Sequence, residues 1–345
     1  MIRAVTLLLM ALSATAHAKT MVYVSNAEDG TIGIYTLDQQ KSSLTQIGTI
    51  EAGPKIMPLA ISPDRRFLYA GLRSEPFKAI TYAIGRDGML SKQGEAALPD
   101  NMAYLSTDKT GRWLFGASYY GDKVSVSPVG AAATQIIATG PKAHCILPDP
   151  SNRFVFATNL GSDQILQFRF DAASGTLSEN EPALIKTEAG EGPRHMVFSP
   201  DGKFLYVLNE LKGDVLQFAL DAKTGTLRQI AAVSTIPPDS VPSKIWAADL
   251  KITPDGRFLY ASERTASRIA QLALDPVPHL VGTVPTETQP RGIAIAPSGR
   301  FLVASGEKSD QLSLYRIDEK TGALTLAARA PGGKGANWVE IISLP

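Results

Sequence analysis

One short phrase recurs along this chain, and it consists of a turn, an aromatic residue and a small run of strand-forming residues. We use the aromatic residue as the marker of each copy, and the markers are Phe67, Trp113, Phe154, Phe204, Phe258 and Phe301. A seventh copy, MVYVSN, starts at Met21 and lacks the turn. Successive copies lie 41 to 54 positions apart. A period of this size, with several short strands in each unit, is typical of a β-propeller.

The copy around Phe204 contains the parts of one propeller blade. Short apolar or alternating runs at 195–199, 204–208, 215–220 and 227–233 predict four strands. The tight turn PDGK at 200–203 separates the first two strands, and DAKTGTL at 221–227 separates the last two. Four antiparallel strands per unit, without a long segment of helical periodicity, favour a propeller over an α/β fold.

Both ends of the repeat array predict a closed ring. The segment ANWVEIIS at 336–343 aligns with the first strands of other units, PRGIAIAP at 290–297 and PRHMVFSP at 193–200, whereas the run at Met21 aligns with a second strand. The last strand therefore completes the blade that the first one begins, which removes two exposed strand edges. We predict an all-β fold, a seven-bladed β-propeller with four antiparallel strands per blade, over residues 19–345.

The first 18 residues have the pattern of a secretory signal peptide. Arg3 provides a positive charge, residues 4–12 are apolar, and Ala16-His17-Ala18 forms a small-x-small cleavage site. The apolar run is too short to span a bilayer, so no membrane span is expected after cleavage. An apolar N-terminal strand is the alternative interpretation. The sequence thus predicts a periplasmic or secreted protein whose mature chain starts near Lys19.

Composition excludes several classes of function. The net charge is +1, from 34 basic and 33 acidic residues without a basic stripe, so nucleic acid is not an expected partner. Cys145 is the only cysteine, which rules out an intramolecular disulfide and cysteine-rich zinc sites. It fits a small buried residue better than a nucleophile. No nucleophile elbow, P-loop or dinucleotide fingerprint is present, and we expect no metal and no cofactor.

Aligned on their markers, the copies differ in their polar residues at two places. Ten positions before the marker, at the start of the first strand, stand His144, Arg194 and Arg291. Five and six positions after the marker, at the end of the second strand, stand Asn209 and Glu210, Glu263 and Arg264, Gly306 and Glu307, with Arg73 and Tyr119 in earlier copies. Because the first and second strands are antiparallel neighbours, the two sets meet at one mouth of the central channel.

This expected mouth is a basic cup that contains two carboxylates and two histidines. Its members are His144, Arg194, His195, Glu210, Glu263, Arg264, Arg291 and Arg73. Arginine binds phosphate or carboxylate through two parallel hydrogen bonds, so the cup suits a small anionic ligand. The alternative is structural, because Arg264 paired with Glu210 or Glu263 would be an ordinary ion pair at a strand end.

Three segments carry a resemblance to a known family. They read GPRHMVFSPDGKFLYVLNE at 192–210, WAADLKITPDGRFLYASERTAS at 246–267 and TETQPRG at 286–292. They are similar to the seven-bladed lactonase family, that of cycloisomerase-type 6-phosphogluconolactonase, over essentially all of the mature chain. In that family a His, a Glu and Arg residues are the proposed catalytic and anion-binding groups. The matching residues are His144, Arg194, Glu210 and Arg264, with Arg291 as a further candidate.

The resemblance implies an enzyme that hydrolyses a sugar lactone resembling 6-phosphogluconolactone to the aldonic acid. His144 or Glu210 would act as general base, and Arg194 and Arg264 would stabilise the oxyanion. The expected substrate-binding residues are Arg291, His195, Arg73 and Glu263. Typical family members are cytoplasmic, so the export signal leaves the physiological lactone open. Two alternatives remain: a carboxymuconate-type lactonizing cycloisomerase, and a non-enzymatic periplasmic propeller that binds ligands or proteins.

Overall fold

The computed structural model describes residues 19–275 and 277–344. The predicted signal peptide, residues 1–18, lies outside the described residues. In the described part, the strands form seven sheets of four strands each, and the only helical segment is a short 3-10 turn, Leu160–Ser162. The prediction of an all-β, seven-bladed propeller is confirmed. No helix in residues 19–275 and 277–344 is long and apolar enough to cross a membrane.

Each blade is an antiparallel sheet of four strands, and in blades 2 to 7 these strands follow one another in sequence. Blade 1 contains β1 (Thr20–Asn26), β2 (Thr31–Asp38) and β3 (Ser43–Glu51). Blade 2 contains β4 (Ile56–Ile61), β5 (Phe67–Leu72), β6 (Lys78–Ile84) and β7 (Leu90–Ala97). Blade 3 contains β8 (Met102–Thr107), β9 (Trp113–Ser118), β10 (Lys123–Pro128) and β11 (Gln135–Ala138). Blade 4 contains β12 (Ala143–Pro148), β13 (Phe154–Asn159), β14 (Gln164–Asp171) and β15 (Thr176–Lys186).

The remaining blades repeat this order up to the last strand, which returns to the first blade. Blade 5 contains β16 (Pro193–Phe198), β17 (Phe204–Asn209), β18 (Asp214–Asp221) and β19 (Thr226–Ser234). Blade 6 contains β20 (Ala247–Ile252), β21 (Phe258–Glu263), β22 (Arg268–Ala273) and β23 (His279–Pro285). Blade 7 contains β24 (Pro290–Ile295), β25 (Phe301–Gly306), β26 (Gln311–Ile317) and β27 (Leu324–Pro331). The last strand is β28 (Ala336–Ser343).

The two ends of the chain close the ring inside blade 1. Strand β28 pairs antiparallel with β1, with Thr20 opposite Ser343 and Val24 opposite Val339, and the strand order of this blade is β28-β1-β2-β3. The first strands of neighbouring blades contact one another all the way around, from β28 through β4 to β24 and back to β28. The predicted closure by the C-terminal strand is confirmed, and it places the seven first strands around one central channel.

Apolar side chains fill the spaces between blades. Between blades 4 and 5, for example, Phe156, Val207 and Phe218 are fully buried in one cluster. The marker residues lie in this packing, and a glycine of the next blade's outer turn covers several of them. Gly225 adopts φ +69°, and a Cβ atom there would lie 2.0 Å from the ring of Phe154. The repeated turn glycine is therefore required for contact between blades as well as for the turn itself.

Candidate active site

The starts of the first strands and the ends of the second strands meet at one mouth of the channel. In blade 5, Pro193 at the start of β16 pairs with Asn209 at the end of β17. The pairing register shifts directly after Pro193, and the same irregularity follows Ala143 in β12 and Pro290 in β24. A β-bulge re-aims the side chains next to it. The residues at the bulges, which include His144, Arg194 and Arg291, are thus gathered at the mouth of the channel.

A pocket of about 180 Å³ occupies this mouth. It is lined by Arg73, Ala103, Tyr119, Tyr120, His144, Glu210, Trp246, Arg264 and Arg291. Five of the eight side chains expected at the mouth, Arg73, His144, Glu210, Arg264 and Arg291, therefore share one pocket. A second pocket of about 270 Å³ adjoins it and shares Arg73, Tyr120 and Arg291 with it. The mouth thus has two connected compartments with a common wall.

A larger groove of about 550 Å³ lies elsewhere, between blades 5 and 6. Two of its three carboxylates are engaged within their own turns: Asp201 accepts a hydrogen bond from Ser199, and Asp255 accepts bonds from Thr253 and Arg257. These interactions hold strand-connecting turns together. We therefore place the candidate active site at the channel mouth, where buried ionisable groups converge.

Glu210 lies at the centre of a buried arginine clamp. One oxygen, Oε2, accepts a hydrogen bond of 2.8 Å from Nε of Arg194 and another of 2.8 Å from Nη2 of Arg264. The two arginines are only 1% and 2% exposed. Burial favours the protonated carboxyl, but the charges of Arg194 and Arg264 outweigh it and hold the pKa of Glu210 below its usual value. Glu210 is therefore ionised and is a weak proton acceptor.

The two clamp arginines remain charged despite their burial. Burial and the neighbouring Arg291 lower the pKa of Arg194 to about 10, and burial and Arg194 lower the pKa of Arg264 to about 9. Arg264 lies over the ring of Trp246, 3.8 Å from its centroid, and also donates to the backbone carbonyls of Trp246 and Ala247. These contacts fix the guanidinium of Arg264 in the wall of the pocket.

His144 provides the imidazole of the pocket. The side chain is buried, and its Nδ1 atom has no hydrogen-bond partner among the residues described. Its ring meets those of Tyr119 and His195 edge-on, with centroid distances of 5.8 and 5.2 Å. Burial and the positive charge of Arg194 lower the pKa of His144 well below its usual value. His144 is therefore neutral near pH 7 and has one unprotonated ring nitrogen.

Arg73 and Arg291 are the arginines with the fewest protein partners at the mouth. Nε of Arg73 donates to Asn101, whereas Nε of Arg291 has no hydrogen bond and lies 3.7 Å from a carboxylate oxygen of Glu307. Burial and the charge of Arg291 lower the pKa of Arg73 to about 10, so it also remains charged. Within residues 19–275 and 277–344, the terminal nitrogens of these two guanidiniums make no hydrogen bond to the protein, which leaves them available to an anion.

Three of the expected site residues lie outside the pocket wall. Arg194 lies behind it, bonded to Glu210 and to the carbonyl of Ala248. His195 is buried deeper in the channel, and its Nδ1 is 2.8 Å from Oδ1 of Asp249. Glu263 accepts hydrogen bonds from the backbone amides of residues 246, 265 and 266, so it shapes the turn that carries Arg264. These three side chains therefore lie behind the pocket wall and do not line the pocket.

Sequence reasoning missed part of the pocket wall. Trp246 lines the first compartment, Lys55 and Asn101 line the second, and Tyr120 lines both. Lys55, Asn101 and Trp246 each stand twelve positions before the marker of their blade, two positions before the place that was compared. The same alignment could therefore have found them, had it been extended into the segment that precedes the first strand.

Metal-ligand and thiol chemistry find little support at this site. No group of three or more His, Cys, Asp or Glu side chains in the described residues is arranged to hold a metal ion. Cys145 is a buried free cysteine, and burial raises the pKa of its thiol to about 12. The thiolate that a nucleophilic cysteine requires is therefore not formed near neutral pH.

Comparison with known proteins identifies relatives of the whole chain. The family model described as "Lactonase, 7-bladed beta-propeller" matches residues 21–341. A 6-phosphogluconolactonase from Pectobacterium carotovorum subsp. carotovorum (strain PC1) is 40% identical over 332 residues, which cover 94% of this chain and 99% of that protein. Another from Yersinia pestis (strain Pestoides F) is 38% identical over 331 residues, which cover 94% of this chain and 98% of that protein. The structure of the periplasmic gluconolactonase of Pseudomonas aeruginosa matches with a TM-score of 0.86 at 26% identity, covering 95% of this chain and 100% of that one.

Proposed function

The chain belongs to the seven-bladed β-propeller lactonase family, and from this premise we propose that it hydrolyses a sugar lactone with an anionic substituent, of the 6-phosphogluconolactone type. One observation carries the proposal. A single pocket holds a neutral buried imidazole, a guanidinium fixed in the wall, and two guanidiniums whose terminal nitrogens lack protein partners. Lactone opening needs an activated water and stabilisation of an oxyanion, and these groups can supply both.

We assign the general base to His144 rather than to Glu210. The carboxylate of Glu210 is engaged by two arginines, which lower its pKa and weaken it as a base. His144 is neutral and lines the pocket. Because its Nδ1 atom is buried, Nε2 is the ring nitrogen that can face a water molecule in the pocket. Removal of a general base of this kind lowers the rate by about 10²- to 10⁴-fold.

The reaction needs no covalent intermediate on the protein. Water gives a proton to His144 as its oxygen adds to the lactone carbonyl, and the carbonyl oxygen becomes an oxyanion that faces Arg264. When this intermediate collapses, the bond to the ring oxygen breaks and the ring oxygen takes the proton from His144. The products are a free hydroxyl group and the aldonic acid. Arg194 is too deeply buried to touch substrate and supports Arg264 through Glu210.

The anionic substituent is assigned to the second compartment. Arg73 and Arg291 form the wall that it shares with the reaction pocket, and Lys55 adds a third cation to its lining. A phosphate held there would receive charge-assisted hydrogen bonds from both guanidiniums. The proposal thus assigns the reacting carbonyl to the side of His144 and Arg264, and the 6-phosphate to the side of Arg73.

We further propose that the protein works in the periplasm or outside the cell. The predicted signal peptide supports export, and the structurally similar Pseudomonas aeruginosa protein is a periplasmic gluconolactonase. Phosphorylated sugar lactones are scarce in that compartment, so an unphosphorylated aldonolactone is the second substrate to test. The two lactones differ only in the 6-phosphate, which is the group assigned to Arg73 and Arg291.

The test is lactone hydrolysis by purified residues 19–345, with spontaneous hydrolysis subtracted. We expect the 6-phosphorylated lactone to be hydrolysed with a higher kcat/KM than gluconolactone, and His144→Gln to lose about 10²-fold or more in kcat. Arg73→Gln should raise KM for the phosphorylated lactone alone, because it removes a contact that the other lactone does not make. The exposed Arg228 gives the matched control Arg228→Gln. A wild-type rate equal to that of buffer for both lactones would overturn the proposal.

A further inference from the structure

A hydrogen-bonded pair, His195 and Asp249, lies in the channel just beyond His144. His195 belongs to β16 and Asp249 to β20, and each stands nine positions before the marker of its blade, one residue deeper than His144 in β12. Both side chains are buried. The proposed reaction gives neither of them a role, although burying an imidazole beside a carboxylate is costly unless each polar atom finds a partner.

Asp249 is saturated with donors. Its Oδ1 atom accepts from Nδ1 of His195 at 2.8 Å, from Nζ of Lys251 at 2.9 Å and from the backbone amide of Leu250 at 2.9 Å. Its Oδ2 atom accepts from the backbone amide of Ile293 at 3.0 Å. Burial alone would raise the pKa of this carboxyl, but Lys251 and His195 hold it below its usual value. Asp249 is therefore a carboxylate, and it can only accept hydrogen bonds.

This carboxylate sets the tautomer of His195. Burial and the charge of Arg194 lower the pKa of His195 to about 3, so the ring carries a single proton at neutral pH. Because Asp249 only accepts, that proton resides on Nδ1 of His195. The other nitrogen, Nε2, is then an unprotonated acceptor. It is buried and has no hydrogen-bond partner among the residues described.

The imidazole of His144 has the matching unpaired atom. Its Nδ1 atom is likewise buried without a partner in the described residues, and the two ring centroids are 5.2 Å apart. The two nitrogens are not hydrogen-bonded to each other in the structure, but a ring nitrogen lies about 1 Å from its centroid, so a small rotation of either ring can bring them to hydrogen-bond distance. Tyr104 and Trp338 contact the ring of His195 at centroid distances of 5.2 and 5.6 Å and hold it in place.

We propose that His195, oriented by Asp249, is a positioning residue that holds His144 as its Nδ1–H tautomer and so keeps Nε2 of His144 unprotonated towards the pocket. The role of the base rests on the proposed function, whereas the tautomer is a property of the free protein. Several charged and titratable groups surround the two rings. They are Arg194, Arg264, Arg291 and Tyr119 beside His144, and Arg194, Asp249, Lys251 and Tyr104 beside His195.

Nitrogen NMR of ¹⁵N-histidine-labelled protein tests the tautomer without any substrate. Residues 19–345 contain only three histidines, His144, His195 and His279, and the exposed His279 can be identified with His279→Gln. We expect both buried rings to be neutral at pH 7 with the proton on Nδ1. In His195→Phe, which keeps an aromatic ring between Tyr104 and Trp338, His144 should show averaged signals from two tautomers. An Nε2–H form of His144 in the wild type, or an unchanged His144 in His195→Phe, overturns the inference.

Kinetics separate positioning from a structural role. We expect His195→Phe to lower kcat about 10- to 100-fold, the loss that a misplaced catalytic group causes, while KM stays within about 2-fold. His195→Gln, whose amide oxygen can accept a hydrogen bond, should recover part of the loss, and His279→Gln should match the wild type. Wild-type kcat in His195→Phe would refute the role. A wild type that hydrolyses no lactone but shows both locked tautomers would refute the proposed function and leave this inference standing.

Discussion

Neutralising Glu210 should destabilise the whole propeller, and the size of the effect follows from the arginine clamp. Glu210→Gln leaves Arg194 and Arg264, which are 1% and 2% exposed, without the negative charge that both contact at 2.8 Å. Breaking a buried ion pair in this way costs about 3–5 kcal/mol. The unfolding entropy of a domain of this length is about 0.7 kcal/mol per kelvin, so the expected fall in Tm is about 4–7 °C.

The measurement is thermal unfolding of Glu210→Gln beside a matched control. Glu287→Gln also neutralises a buried carboxylate, but Glu287 lines neither compartment of the mouth. Its partners are two serine hydroxyls and the exposed Arg329. Because an ion pair with an exposed arginine is weak, the change should cost only about 1 kcal/mol. Adding Arg194→Met to Glu210→Gln should restore part of the stability, because one uncompensated charge is then removed. Inorganic phosphate should raise the Tm of Glu210→Gln more than that of the wild type, since it can replace the missing charge.

The same variant also tests which group is the base. Assayed well below its Tm, Glu210→Gln should retain more activity than His144→Gln if His144 accepts the proton. A Tm within about 1 °C of the wild type, the error of a melting curve, would show that the clamp contributes far less than a buried pair usually does. The opposite order of residual activities would return the role of base to Glu210.

Three further predictions concern the layer around the pocket. Stability should fall on acidification, because the unfolded chain protonates both buried histidines near pH 6.5, whereas burial lowers the folded pKa of His195 to about 3 and that of His144 well below its usual value. The contribution of His195 between pH 6.5 and 5 is about 2 kcal/mol, and urea titrations of His195→Gln should show a loss smaller by that amount. Gly225→Ala should lower the free energy of unfolding by about 1–3 kcal/mol, because the added Cβ would lie 2.0 Å from Phe154. Calorimetry measures this loss, and Gly94→Ala, with open space around the added Cβ, is the control. Trp246→Leu should lower kcat/KM about 10-fold by releasing Arg264, and an unchanged value would show that the ring does not position that guanidinium.

The fold could be predicted from sequence because its information is repeated. The marker and its turn recur in six of the seven blades, so an error in one copy is corrected by the others. The pairing of β28 with β1 was predictable for the same reason, since both segments match recognisable parts of a complete blade. The coverage of Phe154 by Gly225 was not predicted. It joins a marker to a turn in the next blade, and such a contact depends on the geometry between blades rather than on any single copy.

The sequence predicted which residues meet at the channel mouth, where the candidate site lies, but only partly how their side chains are oriented. Counting from the markers identified His144 and Arg291 because strand ends meet at fixed places. His195 was expected to bind substrate, but the bulge in β16 directs it deeper, where Asp249 engages it. A bulge depends on one extra residue in the pairing, and the alternation of apolar and polar residues does not reveal it. Trp246 lies in the segment before β20, where no periodic pattern guides the alignment.

On the proposed mechanism, the charge of the mouth would link substrate binding to the basicity of His144. In the free protein, burial and the positive charges of Arg194 and Arg291 lower the pKa of His144, which weakens it as a base. An anion held between Arg73 and Arg291 would offset part of that positive charge and raise the pKa of His144 towards its ordinary value. The anionic substituent would then increase kcat as well as lower KM, because it stabilises the imidazolium that forms as water is deprotonated. An uncharged lactone would enter the same pocket and meet a weaker base, so the cationic wall would select substrates in the chemical step as well as in binding.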